Sequence, residues 1–262
     1  ESLPANVQNE IANLRNINTK WGDELYRTAV TQDHSLSISG GSDRATYYFS
    51  TGYYTENGTT EGTSMKRLNF TIKGDYKLLD NLTVGAAMYG NERKQGSYLT
   101  NLGATTNPAN YSRNANPYVA IYDENGEYAY DPYITPYRDG TILNYSIIQE
   151  RDNTSNSIKT RSLNTILNLD WTIIPKLNFR TQLGLQRDDQ RDQSFADKNS
   201  YYTRYERERS RTGSTYYIPE GGVIKNTDGT SSQWNLKSVL EYNMLFADKH
   251  ELDVMVGNEL RR

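Results

Sequence analysis

Residues 175–190, PKLNFRTQLGLQRDDQ, alternate between apolar and polar side chains. From 177 to 185 the odd positions hold Leu177, Phe179, Leu183 and Leu185, interrupted by one threonine, whereas the even positions from 176 to 186 are polar or glycine. Side chains of a β-strand point to opposite faces with a period of two, so this pattern predicts a strand with one dry face and one wet face. The dry face contacts either a protein core or lipid. The lengths of the other predicted strands and of their connections help to decide between the two.

Similar alternation recurs along the chain and predicts an all-β fold. Residues 1–33 differ, because Val7, Ile11 and Leu14 have loose helical spacing that indicates a short helix. Most of the predicted strands are longer than the five or six residues usual for strands of soluble proteins. We predict about eight strands, at residues 34–41, 44–55, 65–77, 81–92, 158–172, 175–187, 233–246 and 249–260.

The connections between these strands alternate between tight turns and loops, and two of the loops are long, at residues 93–157 and 188–232. A transmembrane β-barrel has this asymmetry, with short periplasmic turns on one rim and long external loops on the other. The sequence therefore predicts a segment of an antiparallel transmembrane β-barrel whose dry face contacts lipid. The polar residues of the opening segment are predicted to face a hydrated lumen: Lys176, Asn178, Arg180 and Gln182.

Composition limits the other functional classes. The net charge of −3 gives no basic excess for nucleic acid, and the absence of cysteine excludes disulfides and thiolate metal sites. No apolar run approaches the roughly 18 residues of a membrane helix, which leaves strands as the only possible spans. His34 and His250 lack the setting of a catalytic triad or a metal site. We therefore expect no catalytic residue, metal or cofactor, and no enzyme.

A spaced pattern between residues 21 and 58 resembles a known family. It comprises Trp21, Asp23, Glu24, Arg27, Ala29, Gln32, His34, the run LSISGG at 36–41, and then Tyr47, Tyr48, Ser50, Gly52, Tyr53 and Gly58. The pattern resembles the SusC/RagA family of TonB-dependent outer-membrane transporters of Bacteroidota, where the plug gives way to the barrel. KRLNFTIKGDYKLLDNLTVGAAMYG is similar to that family's next hairpin, and NPYVAIYDENGEYAY resembles its long external loop.

The resemblance implies that residues 1–33 connect a plug to a barrel and that residues 34–262 form the early wall of that barrel in a longer protein. It also implies the outer membrane of a Gram-negative bacterium, contact with outer-membrane lipid, and import of oligosaccharides or peptides. A SusD-like surface lipoprotein would capture this cargo. TonB would supply energy through segments that this chain lacks.

Tyrosine is abundant, with 22 residues, and many of them lie in the two long loops. Aromatic rings stack on the apolar faces of sugars, and phenol hydroxyls add hydrogen bonds. For any single tyrosine, the alternative is packing of the loops against each other or against the lipoprotein cap. The candidates for substrate contact are Tyr111, Tyr118, Tyr122, Tyr128, Tyr130, Tyr133, Tyr137, Tyr201, Tyr202 and Tyr205.

Two other interpretations of the chain remain open from sequence. One is a complete small eight-stranded outer-membrane barrel that serves as an adhesin or a structural protein, because eight strands can close. The other is a soluble β-rich carbohydrate-binding module. The long strands and the one-sided placement of the tight turns argue against the soluble interpretation.

Overall fold

A computed structural model describes residues 3–100, 103, 106–134, 137–247 and 249–262. Some positions of the predicted elements lie outside these residues: 1–2 in the connecting segment, 101–102, 104–105 and 135–136 in the first long loop, and 248 in the last turn. One antiparallel sheet of eight strands dominates the structure.

Ten strands occur in the described chain, and eight of them form the large sheet. In chain order they are β1 (Val30–Gly41), β2 (Ala45–Asn57), β3 (Ser64–Leu79), β4 (Leu82–Ser97), β5 (Thr154–Ile174), β6 (Leu177–Ala196), β7 (Arg211–Thr212), β8 (Thr215–Tyr216), β9 (Val223–Phe246) and β10 (His250–Arg261). β7 and β8 pair only with each other, so the order of the large sheet is β1-β2-β3-β4-β5-β6-β9-β10.

Among the residues that the structure describes, five short α-helices lie outside the sheet: α1 (Ala5–Leu14), α2 (Trp21–Leu25), α3 (Pro108–Asn114), α4 (Ile147–Asn153) and α5 (Tyr201–Arg209). α1 contains the three apolar positions whose spacing predicts a helix. One 3-10 turn spans Arg138–Gly140. No helix among the described residues is both long enough and apolar enough to cross a membrane.

Short and long connections alternate around the sheet, and this alternation defines its two ends. At the turn end, only two or three residues join β1 to β2, β3 to β4, β5 to β6 and β9 to β10. At the loop end lie residues 58–63, 98–153 and 197–222, together with the segment that precedes β1. The α-helices therefore all belong to connections at the loop end.

The strands run further toward the loop end than the sequence predicts. Residues 188–196 and 223–232 were expected in a loop, yet they extend β6 and β9, and β4 and β5 likewise extend into the predicted loop 93–157. The alternation fails there because both faces carry polar side chains. Cross-strand polar pairs replace apolar packing: Arg191 Nε lies 2.6 Å from Asp228 Oδ1, directly opposite in register.

Strand register places the predicted apolar side chains on a single face of the sheet. Leu167, Leu183 and Leu236 stand opposite one another on three neighbouring strands. We call this the apolar face, and we call the opposite one, which carries Asn168, Gln182 and Lys237 in the next register position, the polar face. From Leu177 to Leu185 the apolar band on β6 covers eight residue steps, or about 26 Å at ~3.3 Å per step.

The large sheet is open. β1 pairs with β2 and β10 pairs with β9, and neither edge strand has a second partner among the described residues. This contradicts the alternative of a chain that closes by itself into an eight-stranded barrel. Large apolar side chains on the apolar face, such as Leu36 and Val256, are about two-thirds exposed, at 67% each, so no second layer of the described chain covers them.

Candidate ligand-facing surface

Three of the four residues predicted to face a lumen lie together on the polar face. Asn178, Arg180 and Gln182 alternate along β6, and each contacts a polar side chain of a neighbouring strand. Thr172 Oγ1 donates to Asn178 Oδ1 (2.9 Å), and Gln182 Nε2 donates to Asn168 Oδ1 (2.9 Å). Arg180 forms an ion pair with Glu241.

Lys176 does not belong to this row. It lies in the tight turn between β5 and β6, where its φ of 79° places the backbone in the left-handed region. Its carbonyl accepts a hydrogen bond from the Asn243 N–H (2.9 Å), which fixes the turn beside β9. The sequence alternation extends through Lys176 by coincidence, because the reversal of the chain begins one residue earlier, at Pro175.

The loop-end connections pack into one body that we call the loop cluster. It comprises α2 and the described residues of the connections 98–153 and 197–222, which contain α3 to α5. Its core is aromatic. Ring centroids lie 5.0 Å apart for Trp21 and Tyr111, 5.7 Å for Tyr111 and Tyr145, and 5.0 Å for Tyr145 and Tyr201, all in edge-to-face geometry. Such arrangements are favoured by the ring quadrupole. The apolar core of this chain is thus in its loops.

The ten candidate tyrosines divide by burial. Tyr111 and Tyr201 are buried in the aromatic core, at 6% and 8% exposure, so in this structure their rings serve packing. Four candidates are exposed (Tyr118, Tyr122, Tyr130 and Tyr133), and the remaining four are partly buried (Tyr128, Tyr137, Tyr202 and Tyr205). Sequence reasoning missed Tyr145, which is fully buried and precedes the apolar pair Ile147 and Ile148.

A buried carboxylate joins the two long loops. Glu150 of α4 is only 1% exposed, and its Oε2 and Oε1 atoms accept hydrogen bonds from the backbone N–H groups of Tyr201 (2.6 Å) and Tyr202 (2.9 Å). These are the first N–H groups of α5, which lack partners within the helix. Burial raises the pKa of Glu150 to about 7, against the opposing effect of these two hydrogen bonds and of the Arg204 charge.

A second junction between the loops centres on two arginines. Arg138 Nη2 donates to the carbonyls of Glu208 (2.9 Å) and Arg211 (2.7 Å). Arg211 pairs in turn with the buried Glu208 and with Asp139 (3.2 Å). Tyr216 Oη completes this group by donating to Glu208 Oε2 (3.1 Å). The backbone and charged groups at this junction thus satisfy one another across the two loops.

The segment before β1 is held to the loop end by Arg27. The Arg27 guanidinium donates to the carbonyls of Gly58 and Thr63 (3.1 Å each) and forms an ion pair with Glu61 (2.8 Å). All three partners flank or lie in the connection between β2 and β3. Arg27 belongs to the sequence pattern that carries the family resemblance, and the structure gives it this positioning role.

The loop cluster covers the loop end of the polar face. Thr154 of β5 and Ala196 of β6 stand opposite each other on that face, and both are buried. Thr154 Oγ1 donates to the Glu150 carbonyl (2.7 Å) and accepts from the Leu99 N–H (2.9 Å). A pocket of about 390 Å³ opens beside this contact, lined largely by polar-face residues of β2 to β5.

A smaller pocket of about 220 Å³ lies on the outside of the loop cluster. Asn110, Asn114 and Asn116 line it together with Asp131 and Tyr133. The Asp131 carboxylate is already engaged, because it accepts from Tyr111 Oη (2.8 Å) and from the Tyr133 N–H (2.9 Å). The amides and the exposed ring suit a polar, uncharged ligand. No group of three metal-binding side chains occurs in the part of the chain that the structure describes.

Comparison with curated proteins confirms the resemblance to TonB-dependent receptors. TonB-dependent receptor P39 of Formosa agariphila is 24% identical over 242 residues, which make up 92% of this chain and 20% of that protein. The TonB-dependent receptor SusC of Bacteroides thetaiotaomicron is 38% identical over 61 residues, 23% of this chain and 6% of that protein. The chain spans about a fifth of the length of the relatives that it matches throughout. No protein-family model matches it.

Comparison with solved structures supports the fold. A structure of the RagAB peptide transporter matches with a TM-score of 0.67 at 22% identity, covering 93% of this chain and 26% of the matched chain. The RagAB peptide importer in its open-open state matches with a TM-score of 0.66 at 20% identity. These relatives are named as receptors, transporters and importers, in agreement with the expectation that the chain is not an enzyme.

Proposed function

We propose that this chain forms part of the wall and the external loops of an outer-membrane β-barrel that imports oligosaccharides or peptides in a TonB-dependent manner. The observation that carries the proposal is the apolar face of the eight-stranded sheet, whose band on β6 is about 26 Å long, together with the position of every long connection at one end. Outer-membrane barrels present an outward apolar band about 25 Å tall, crossed by strands tilted about 35–45°, so about 26 Å of strand corresponds to about 20 Å of that height.

The side chains at the rims of this band support contact with lipid. Tyr76, Trp171 and Tyr242 lie on the apolar face toward the turn end, and Trp234 lies toward the loop end. Aromatic girdles of this kind flank the apolar band of outer-membrane barrels. The turn end is then periplasmic and the loop end external, and the polar face with Asn178, Arg180 and Gln182 borders a hydrated lumen.

The loop cluster is the part of the chain that meets cargo in this proposal. Tyr118 and Tyr133 are exposed and form an edge-to-face pair with centroids 5.9 Å apart, next to the pocket lined by three asparagines. Rings and amides together suit the apolar faces and hydroxyl groups of sugars, and equally the backbone of a peptide. The names of the relatives support TonB dependence, and the match to the RagAB peptide transporter supports peptides as one class of cargo.

A SusD-like lipoprotein is the expected partner at the external end. The buried contacts among α2 to α5 hold the loop cluster as one body, which gives such a partner a defined surface. Residues 3–29 lie between the barrel wall and any preceding plug in this proposal. TonB would act through other parts of the full-length protein.

Two substitutions at adjacent positions test the assignment of the faces. Leu183→Arg places a charge on the apolar face between Leu167 and Leu236, and Gln182→Arg places the same charge on the polar face between Asn168 and Lys237. Arginine near the middle of a lipid-facing band costs about 2–4 kcal/mol. We expect Leu183→Arg to reduce folded full-length protein in outer-membrane fractions, with Gln182→Arg close to wild type. Equal recovery of both variants would contradict a lipid-facing apolar side.

Transport itself requires a second test. Cells that carry the full-length protein are given fluorescent oligosaccharides or peptides, with and without a functional TonB. We expect TonB-dependent uptake that Tyr133→Ala reduces, whereas Tyr217→Ala, an exposed tyrosine outside the ring pairs described above, has little effect. A correctly inserted protein with no uptake of either polymer class would refute the import role and leave the barrel assignment intact.

A further inference from the structure

A row of basic residues crosses the apolar face on the loop-end side of its apolar band. On β3 the row directly follows Leu68, whereas on β6 two further charged positions, Arg187 and Asp189, separate it from the band. Lys66 of β3 stands opposite Lys94 of β4, Lys94 opposite Lys159 of β5, and Lys159 opposite Arg191 of β6. We call these four residues the basic row. With neighbouring strands about 4.8 Å apart, the row places four cations within roughly 15 Å.

Such a row is unfavourable by itself, because like charges directly opposite each other on neighbouring strands repel. Nearby carboxylates neutralise only one part of it. Glu92 pairs with Lys159 (2.9 Å) and with Arg161 (2.6 Å), and Asp228 pairs with Arg191 (2.6 Å). Lys66 and Lys94 are exposed, and neither forms an ion pair with any residue that the structure describes.

The surroundings of the row retain an excess of positive charge. Arg161 lies on the same face two residues nearer the apolar band than Lys159, and Arg187 lies four residues nearer it than Arg191. Together with the basic row they make six cations, and three carboxylates of the described residues contact them: Glu92, Asp189 and Asp228. Six positive and three negative charges leave a net charge of about +3 on this patch at neutral pH.

Directly beneath the patch, the same face becomes apolar. Phe70 and Leu163 lie in the register row that ends at Arg187, between the row of Arg161 and the band that contains Leu167 and Leu183. A ligand that satisfies the whole surface therefore needs an anionic head and an apolar body, side by side. A lipid with a phosphate headgroup has this construction, because its phosphate lies at the border of its hydrocarbon chains.

We propose that Lys66 and Lys94, with Lys159 and Arg191 beside them, bind the phosphate headgroups of anionic lipids at the external rim of the membrane. The inference rests on the proposed lipid contact of the apolar face and adds a headgroup site to it. The excess charge gives the barrel a preference for anionic over zwitterionic lipid along β3 to β6, and it fixes the height of this wall in the bilayer. An inorganic phosphate ion would meet the cations but not the apolar band.

The chain supplies a matched control in the next register position. Arg67 and Arg93 stand opposite each other on the same two strands, but on the polar face. K66Q/K94Q and R67Q/R93Q therefore remove two positive charges from the same height of the sheet, and only the first pair faces lipid. Full-length wild-type protein and both double variants are extracted from outer membranes, stripped of lipid in detergent, and titrated with phosphatidylglycerol, phosphatidylcholine or inorganic phosphate. Native mass spectrometry counts the bound molecules.

We expect K66Q/K94Q to weaken phosphatidylglycerol binding about 10- to 30-fold, since each basic residue near an anionic lipid surface contributes about 1 kcal/mol. Phosphatidylcholine binding should not change, and R67Q/R93Q should bind like wild type. Equal phosphatidylglycerol binding by wild type and K66Q/K94Q would overturn the proposal, as would equal losses in the two double variants. Competition by inorganic phosphate at the concentration of the lipid would overturn the lipid as the ligand.

Insertion of the variants into the outer membrane is measured separately. A failure of the barrel proposal can then be distinguished from a failure of the headgroup proposal. If the wild-type protein is absent from outer-membrane fractions, the barrel assignment itself is wrong, whatever the lipid titration gives. If the double variant K66Q/K94Q inserts poorly, the single variants K66Q and K94Q provide the same comparison with one charge removed. K66R/K94R retains both charges, and we expect it to bind phosphatidylglycerol like wild type.

Discussion

The Glu150 carboxylate accepts the backbone N–H of Tyr201 at 2.6 Å, and this contact joins two loops that leave the sheet between different pairs of strands. A second N–H, that of Tyr202, lies 2.9 Å from the other carboxylate oxygen. Glu150, which belongs to the first long loop, therefore stabilises the start of α5 in the second. The helix dipole favours negative charge at this position. The orientation of the second loop depends on a residue of the first.

Glu150→Ala should release the second loop without unfolding the sheet. The substitution removes the carboxylate from one buried and one partly buried N–H group, and loss of a buried hydrogen bond costs about 1–3 kcal/mol. We expect faster hydrogen exchange in residues 197–222 of the full-length protein, with unchanged exchange in β5 and β6. Glu124→Ala, which removes an exposed carboxylate from the same loop, serves as the control. Unchanged protection of α5 in Glu150→Ala would show that the aromatic core alone holds the loops together.

The junction should also depend on pH, in a direction set by the raised pKa. Burial raises the pKa of Glu150 from its ordinary value of 4.5 to about 7. Between pH 4.5 and 7, Glu150 therefore holds a proton while it is buried at the junction and releases it when the junction opens. The contribution of this proton to the stability of the junction is complete below pH 4.5 and declines as pH rises toward 7. Arg204, the charged side chain facing Glu150, opposes this shift without cancelling it, and the nearby hydroxyls of Tyr145 and Tyr201 are uncharged in this range.

The corresponding measurement is the free energy of local opening at Tyr201 and Tyr202 from hydrogen exchange, corrected for intrinsic rates, at pH 5 and pH 8. We expect opening to be easier at pH 8 by about 1–3 kcal/mol, on the scale of 1.36 kcal/mol per pKa unit. Glu150→Gln carries no titratable group and should show no such difference. The same pH dependence in Glu150→Gln would assign the effect to another group.

Arg27→Ala should detach the segment that precedes β1 from the loop end. The side chain contributes two hydrogen bonds to the carbonyls of Gly58 and Thr63 and one ion pair to Glu61. Hydrogen bonds with a charged partner contribute about 1.5–3 kcal/mol each, although partial exposure lowers that value here. We expect faster proteolysis within residues 15–29. Arg27→Lys should give an intermediate rate, because an ammonium group cannot reproduce the planar arrangement of donors. Arg15→Ala, at an exposed site on the same segment, should have no effect.

The strands of the apolar band could be predicted from sequence because their environment has two different sides. Alternation at Leu163, Leu167 and Trp171 records which side chains face which surface, and the register confirms a common face. Beyond the band, both faces are wet, so segments such as residues 188–196 carry no alternation and resemble loop. Backbone hydrogen bonding continues there regardless of side-chain polarity.

The contacts of the loop cluster could not be predicted in the same way. Glu150 and Tyr201 are 51 positions apart, and nothing in the local pattern around either residue indicates the other. The tyrosines illustrate the difficulty, because Tyr111 and Tyr133 occur in similar polar surroundings, yet one is in the core and the other is 56% exposed. The packing of the loops against each other determines which tyrosine ring is buried. The local sequence around a tyrosine does not encode this packing.

Gly90 should tolerate no side chain, because the Phe70 ring occupies the space above it on the apolar face. A methyl group at Gly90 would overlap three atoms of that ring. Gly90→Ala must therefore displace Phe70, at a cost of about 1–3 kcal/mol, which is usual for overpacking. Gly229→Ala, at a glycine of β9 with no atom within 4 Å of the added methyl, serves as the control.

The measurement is the urea midpoint of the folded full-length barrel in detergent. We expect a lower midpoint for Gly90→Ala alone, and recovery when Phe70→Leu is added, because the smaller side chain vacates the space. Additive losses in the double variant would show that the two residues act independently.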